Sequence, residues 1–138
     1  MFWSTLLFAA ILQAAPAPSS IETVARGDMS GVEDARQAVA RTAGEWTALW
    51  RDHAGAAPAP KIDFNKRMVV AVFLGSRPSA GYAVEITGTR ADGAGLVVLW
   101  TERRPESGMV AAQILTSPGH IVTVPKVTGP IRFEQAGQ

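Results

Sequence analysis

The sequence predicts a mainly β fold with one packed α-helix (α+β): an antiparallel β-sandwich or open barrel of six to eight short strands. Three observations lead there. From Ile62 onward, apolar residues come in short runs or alternate with polar ones, as strands require. Clusters of Gly, Pro, Asp and Ser break these runs at intervals of roughly 8 to 14 residues. Only one stretch combines helical spacing with both a start and a stop signal.

Composition sets the outer limits. A chain of 138 residues is expected to hold one domain. With 13 Lys+Arg against 12 Asp+Glu the formal net charge is +1, so no basic excess marks a nucleic-acid partner. There is no cysteine, which excludes a disulfide scaffold, a thiolate zinc site, a cysteine nucleophile and a lipobox-type anchor. Hydrophobic residues make up 47% and charged residues 18%, enough to bury a core.

The first charged side chain is Glu22, and Phe2 to Leu12 is apolar apart from Ser4 and Thr5. That run is too short to span a hydrocarbon core of roughly 30 Å as a helix. It fits the apolar region of a secretory signal, with small residues from Ala14 to Pro18 where cleavage belongs. Residues 1–20 are therefore read as signal peptide and linker, and residues 21–138 as a single β-rich domain. The expected location is the periplasm or the exterior, with no stable membrane anchor after cleavage.

Ile21 to Arg26 can start a strand, and Gly27 to Gly31 reads as a turn. Ala35 to Arg41 fits either a helix or a strand; we assign a strand. Thr42 to Ala54 is the helix. Thr42 and Glu45 form a T-x-x-E capping box, and Trp46, Leu49, Trp50 and His53 share one stripe. Gly55 stands where a helix stops. Trp46 and Trp50 are expected in the core, and His53 as a partly cationic cap on the negative helix end.

Met68 to Leu74 (M-V-V-A-V-F-L) is an unbroken apolar run and reads as a central strand covered on both faces. Tyr82 to Thr87 alternates, Ala91 to Gly95 is a hairpin loop, and Leu96 to Thr101 is another strand. Arg103 to Gly108 is a polar loop. Met109 to Thr116 reads as a further strand, with a turn at Ser117 to Gly119. Ile121 to Val124 ends at Pro125, so that strand lies at an edge or stops there. Ile131 and Phe133 suggest a last short strand.

No catalytic pattern emerges. Ser76 and Ser79 do not lie in G-x-S-x-G, and neither His53 nor His120 is placed in sequence to serve them. Glu85 and Glu102 are read as surface strand carboxylates rather than an acid–base pair. No H-x-x-x-H, D-x-D-x-D or phosphate-loop motif occurs. No catalytic residue, metal site or cofactor is assigned.

One segment stands out, Gly75-Ser76-Arg77-Pro78-Ser79-Ala80-Gly81-Tyr82. Pro78 fixes φ and Gly81 permits a positive φ, which describes a stiff, shaped loop between two strands. It reads either as a plain hairpin loop whose Tyr82 plugs the core or as a pre-ordered recognition loop. On the second reading the binding residues are Ser76, Arg77, Pro78, Ser79, Gly81 and Tyr82, Arg and Tyr being frequent interface anchors.

This loop resembles the G-x-R-x-T-G-G-Y signature of the PrcB C-terminal-like family, accessory subunits of protease complexes. Ser79-Ala80 stands where the family has Thr-Gly. The strand Met68 to Leu74 before it, Thr116-Ser117-Pro118 and Val122 to Lys126 after it, and the E-W-x-x-L-W-x-x-H stretch at Glu45 to His53 are also similar, over roughly residues 42 to 134. The resemblance implies an exported, non-enzymatic module that contacts a peptidase or another protein. A fainter similarity links Arg77 to Tyr82 to the N-P-T-T-G-Y/F loop of chagasin-type peptidase inhibitors. In those proteins three neighbouring loops enter the peptidase cleft, which here would be residues 76–82, 91–95 and 103–108.

Overall fold

The computed structural model describes residues 21–136. The apolar run and small-residue stretch read as a signal lie outside the described residues. Seven strands and one helix follow in the order β1 (Glu22–Gly27), β2 (Arg36–Ala40), α1 (Ala43–Ala54), β3 (Arg67–Phe73), β4 (Ala83–Asp92), β5 (Gly95–Arg103), β6 (Gly119–Pro125) and β7 (Ile131–Gln135). They form a four-stranded sheet of order β1-β6-β3-β2 and a three-stranded sheet of order β4-β5-β7. The two sheets make an unclosed sandwich, as the sequence predicts, and α1 covers the outer face of the larger sheet.

The apolar run at Met68 explains this layering. Successive side chains of a strand point to opposite faces. Met68, Val70, Val72 and Leu74 therefore meet Val84, Ile86 and Val98 of the smaller sheet. Val69, Ala71 and Phe73 meet Trp46 and Leu49 of the helix. Each such apolar side chain taken from water contributes roughly 1.5–3 kcal/mol. A polar residue on either face of this strand would have to find a hydrogen-bond partner there.

The helix begins and ends where its signals lie. Thr42 Oγ1 accepts the Glu45 N–H at 3.2 Å. The Glu45 carboxylate accepts the Arg41 N–H at 3.1 Å, one residue earlier than the ideal box, and the Thr42 hydroxyl at 3.3 Å. Gly55 closes the helix at φ 63°, its N–H donating to the Arg51 carbonyl. Trp46 and Trp50 also fasten the following connector: their indole N–H groups donate to the carbonyls of Pro60 and Ala57, both at 2.9 Å.

Two expectations are corrected, and one pair of alternatives is decided. Residues 109–115 are not a strand; of Met109 to Thr116 only Thr116 pairs, in an isolated bridge with Arg77. No strand of either sheet lies beside this stretch, so apolar composition alone could not place it in a sheet. The strand ending at Pro125 is not at an edge, since β6 lies between β1 and β3; it simply stops at the proline. The sandwich is not wholly antiparallel, because β5 and β7 pair in parallel. The chain leaves β6 in one sheet and crosses to the other before β7 starts.

His120 joins the two sheets. It lies on the inner face of β6, is only 2% exposed, and faces the free edge of β4. Its Nδ1 accepts the Ile86 N–H at 2.9 Å, and its Nε2 lies 2.9 Å from Thr23 Oγ1. These contacts fix the neutral ring with the proton on Nε2. Burial, followed by the nearby Arg26 charge, lowers its pKa to about 4.

Candidate functional site

The loop singled out in the sequence spans one end of the sandwich, and two glycines hold its ends. Gly75 has φ 80°, and a Cβ there would sit 2.7 Å from the Ala35 nitrogen. Gly81 has φ 96°, and a Cβ there would sit 2.9 Å from Pro105 Cγ. Both positions combine a left-handed backbone with contact too close for any side chain.

Between the glycines the loop is pinned on its inner side. Arg77 exchanges both backbone bonds with Thr116, at 2.8 and 3.0 Å. The Ala80 N–H donates to the Ala112 carbonyl at 2.9 Å, and the Thr116 hydroxyl donates to the Ser79 carbonyl at 3.0 Å. Arg77 turns its guanidinium inward. Nε donates to the Glu102 carboxylate at 3.0 Å and Nη1 to the Leu74 carbonyl at 3.0 Å. The Glu102 side chain is only 7% exposed, so this pair is largely desolvated. The Arg77 guanidinium carbon lies 5.9 Å from the centre of the Tyr82 ring.

The six residues assigned to binding thus divide. Ser76, Pro78 and Gly81 are exposed, and Tyr82 is half-buried at the edge of a groove. Ser79 is buried, and Arg77 is committed to Glu102. These last two shape the loop and do not offer their side chains to a partner.

The groove beside Tyr82 has a volume of about 740 Å³. Arg26, Arg103, Arg104, Asp28, Glu106 and Met109 contribute to its walls. Arg26 lies 3.4 Å from Glu85, and Arg104 only 3.9 Å from Glu102. Next to the groove runs the chain from 109 to 115. Val110 is 98% exposed and Leu115 75%, and Met29, Met109 and Ile114 are also exposed. These are the large exposed apolar side chains among the described residues, and all lie at this end of the molecule. Sequence reading missed them because it placed 109–116 in a sheet.

Two other constellations bear on catalysis, one seen only in the structure and one weighed from the sequence. Ser30 Oγ lies 2.8 Å from His53 Nδ1, a serine–histidine contact that sequence separation concealed. The same Ser30 oxygen accepts the Val32 N–H at 3.1 Å, and the Gly31 N–H donates to the His53 carbonyl at 2.8 Å. Among the described residues no carboxylate bonds the His53 ring, so the contact joins a loop to the helix end without the third member of a triad. Burial lowers the His53 pKa, which corrects the expected partly cationic cap to a neutral ring. Glu85 stands opposite Thr101 and Glu102 opposite Val84. Alternation sends their side chains to opposite faces of the smaller sheet, so they do not form an acid–base pair.

The three loops compared with peptidase inhibitors do not gather. Residues 76–82 and 103–108 meet where Gly81 touches Pro105. Residues 91–95 close the other end of the β4–β5 hairpin, about 30 Å away along a strand of this length. Among the described residues no group of three or more His, Cys, Asp or Glu could hold a metal, and no helix is long and apolar enough to cross a membrane.

Comparison with known proteins gives a family match over part of the chain. The family model described as PrcB C-terminal matches residues 68–125, from the start of the buried run in β3 to the last residue of β6. The match contains the 75–82 loop and the exposed 109–115 stretch; the helix similarity at Glu45 to His53 lies outside it. Neither the curated proteins nor the solved structures gave a match.

Proposed function

We propose, for a chain that is PrcB C-terminal-like over residues 68–125, that it is an exported, non-enzymatic interaction module. It serves as an accessory subunit of a protease complex and binds its partner with the 75–82 end. The observation that carries this reading is the ordered loop itself. It is fixed by two glycines and a desolvated Arg77–Glu102 pair, and it stands beside the exposed apolar side chains. Holding a loop rigid before binding reduces the entropy lost on binding. Exposed apolar groups gathered at one end favour association with another protein.

A photo-crosslinking residue at Pro78, compared with one at exposed Thr47 on α1, tests the proposal in cells that make the protein. A peptidase crosslinked from position 78 and not from position 47 is the expected result. Equal labelling from both positions would remove the loop from the binding face. Export is tested separately, by sequencing the N-terminus of protein recovered outside the cytoplasm; an intact Met1 there counts against cleavage.

Peptidase inhibition is the second reading, favoured by the contact between the 76–82 and 103–108 loops. The hairpin tip at 91–95 takes no part in such a wedge. Titration of a papain-like enzyme decides it: undiminished activity at micromolar protein ends that reading.

A further inference from the structure

We propose that the cleft between the two sheets, on the side where β2 and β7 form their edges, binds a neutral sugar of one or two rings. The inference goes beyond the protein-binding reading and does not rest on it. Strand register builds the cleft. Val72 of β3 and Trp100 of β5 pack toward the interior between the sheets. Residues opposite one another in a ladder share a face. Gln37 stands opposite Val72 and Gln135 opposite Trp100, so each sheet turns one glutamine inward. Glu102 lies on the same face as Trp100, two residues further along β5. The inner columns thus change from apolar to polar at this end, and the sheets leave a cleft of about 470 Å³ with Val72 and Leu74 in its wall. That volume suits a small molecule.

The unmet hydrogen bonds select the occupant. The Trp100 indole N–H is closed off from water and has no acceptor among the described residues. A buried donor without an acceptor is costly, and an oxygen brought to it removes that cost. Its ladder neighbour Gln135 is exposed, and a ligand reaches the indole by displacing that side chain. The Glu102 side chain is 7% exposed; Oε1 accepts Arg77 Nε, whereas Oε2 accepts no hydrogen bond among the described residues, the Arg104 guanidinium standing off at 3.9 Å. The side-chain amides of Gln37 and Gln135 likewise make no hydrogen bond there.

The wall therefore presents a donor, an acceptor and two amides that are both. A hydroxyl both donates and accepts and rotates to suit, so a ligand carrying several of them satisfies the whole set. A sugar ring also brings C–H faces to lie against Val72, Leu74 and the indole. Charge favours no ionised ligand. The charged residues of the wall are Arg36, Arg77 and Glu102. Arg36 pairs with Asp52 at 2.8 Å and Arg77 with Glu102 at 3.0 Å. An ionised ligand would have to compete with one of these pairs, and a neutral one disturbs neither.

The test uses the full chain with methyl β-glucoside, methyl α-mannoside and cellobiose as probes, beside N-acetylleucinamide as a neutral amide. Binding is read in proton–nitrogen correlation spectra, at the Trp100 indole N–H, assigned through Trp100→Phe, and at the Gln37 and Gln135 side-chain amides. At least one sugar is expected to move these signals, the indole proton downfield, with a Kd of about 1–10 mM. Gln37→Ala and Gln135→Ala are each expected to weaken binding about fivefold through the loss of one hydrogen bond. Their urea midpoints should stay at the wild-type value, because both side chains are exposed.

Unmoved signals with all three sugars at about 50 mM would overturn the proposal. Equal sugar binding by the wild type and both glutamine variants would overturn it as well, since the sugar would then sit elsewhere. Tighter binding of N-acetylleucinamide than of any sugar would also overturn it and assign the cleft to a peptide.

Discussion

Met68 to Leu74 and Met109 to Leu115 are of equal length and nearly equal apolar character, M-V-V-A-V-F-L against M-V-A-A-Q-I-L. The first is buried residue by residue, with β2 and β6 on its edges and other layers over both faces. The second stands in solvent, pinned along one edge and open along the other. Composition does not separate them; the neighbours that the chain supplies do. A strand is stabilised by what pairs with it and packs on it, and 109–115 has been given half of that.

The contrast can be broken most severely at its buried member. Val70→Asp would place a carboxylate between the sheets with nothing to bond it. A loss of at least about 4 kcal/mol is expected, enough to abolish the cooperative transition in urea. A variant that unfolds at the wild-type midpoint would show that the sandwich core is not where we place it.

Acid comes next. The His120 ring is neutral when folded, with its pKa at about 4 against an ordinary 6.5. Its contribution is therefore intact above about pH 6.5 and is lost as pH falls toward 4, because the unfolded chain binds the proton first. The full loss is about 3 kcal/mol. Urea midpoints between pH 7 and 4 should fall accordingly, and His120→Gln should flatten the slope. A wild-type slope identical to that of the variant would refute this assignment.

A smaller effect is expected where the two segments approach each other through the 75–82 loop. Gly75→Ala forces a side chain into a left-handed backbone against Ala35, at a cost of about 2 kcal/mol. It should also disorder 109–115, read as faster amide exchange at Ala80. Unchanged exchange would mean that the loop does not depend on this glycine.

The exposed member sets the lower end of the scale. Val110→Asp should change stability by no more than about 0.5 kcal/mol and should raise solubility. A loss comparable to that of Val70→Asp would mean that Val110 is covered in solution.

Where local chemistry decided the structure, the sequence was readable. Thr42, Glu45 and Gly55 mark a helix whose ends depend on groups three or four residues away. The unbroken apolar run at 68–74 and the alternation at 82–87 depend only on which faces are wet. Pro78 and Gly81 marked a shaped loop, but the role of Arg77 did not follow, since its partner Glu102 lies across two strands. The same distance concealed Ser30 beside His53 and the Ile86 N–H beside His120. Pairing between remote segments leaves no periodicity in either one, so 109–116 read as a strand although only Thr116 forms a β-bridge.

The direction of β1 has a practical consequence. Glu22 stands opposite Thr123, and Gly27 opposite Gly119, where the strand arrives at the Tyr82 groove. Anything fused ahead of Ile21 is thus attached a strand length, about 20 Å, from that groove. A purification handle or fluorescent label placed there leaves the opposite pole uncluttered for the assays above, whereas one inserted in the 104–108 turn would obstruct it.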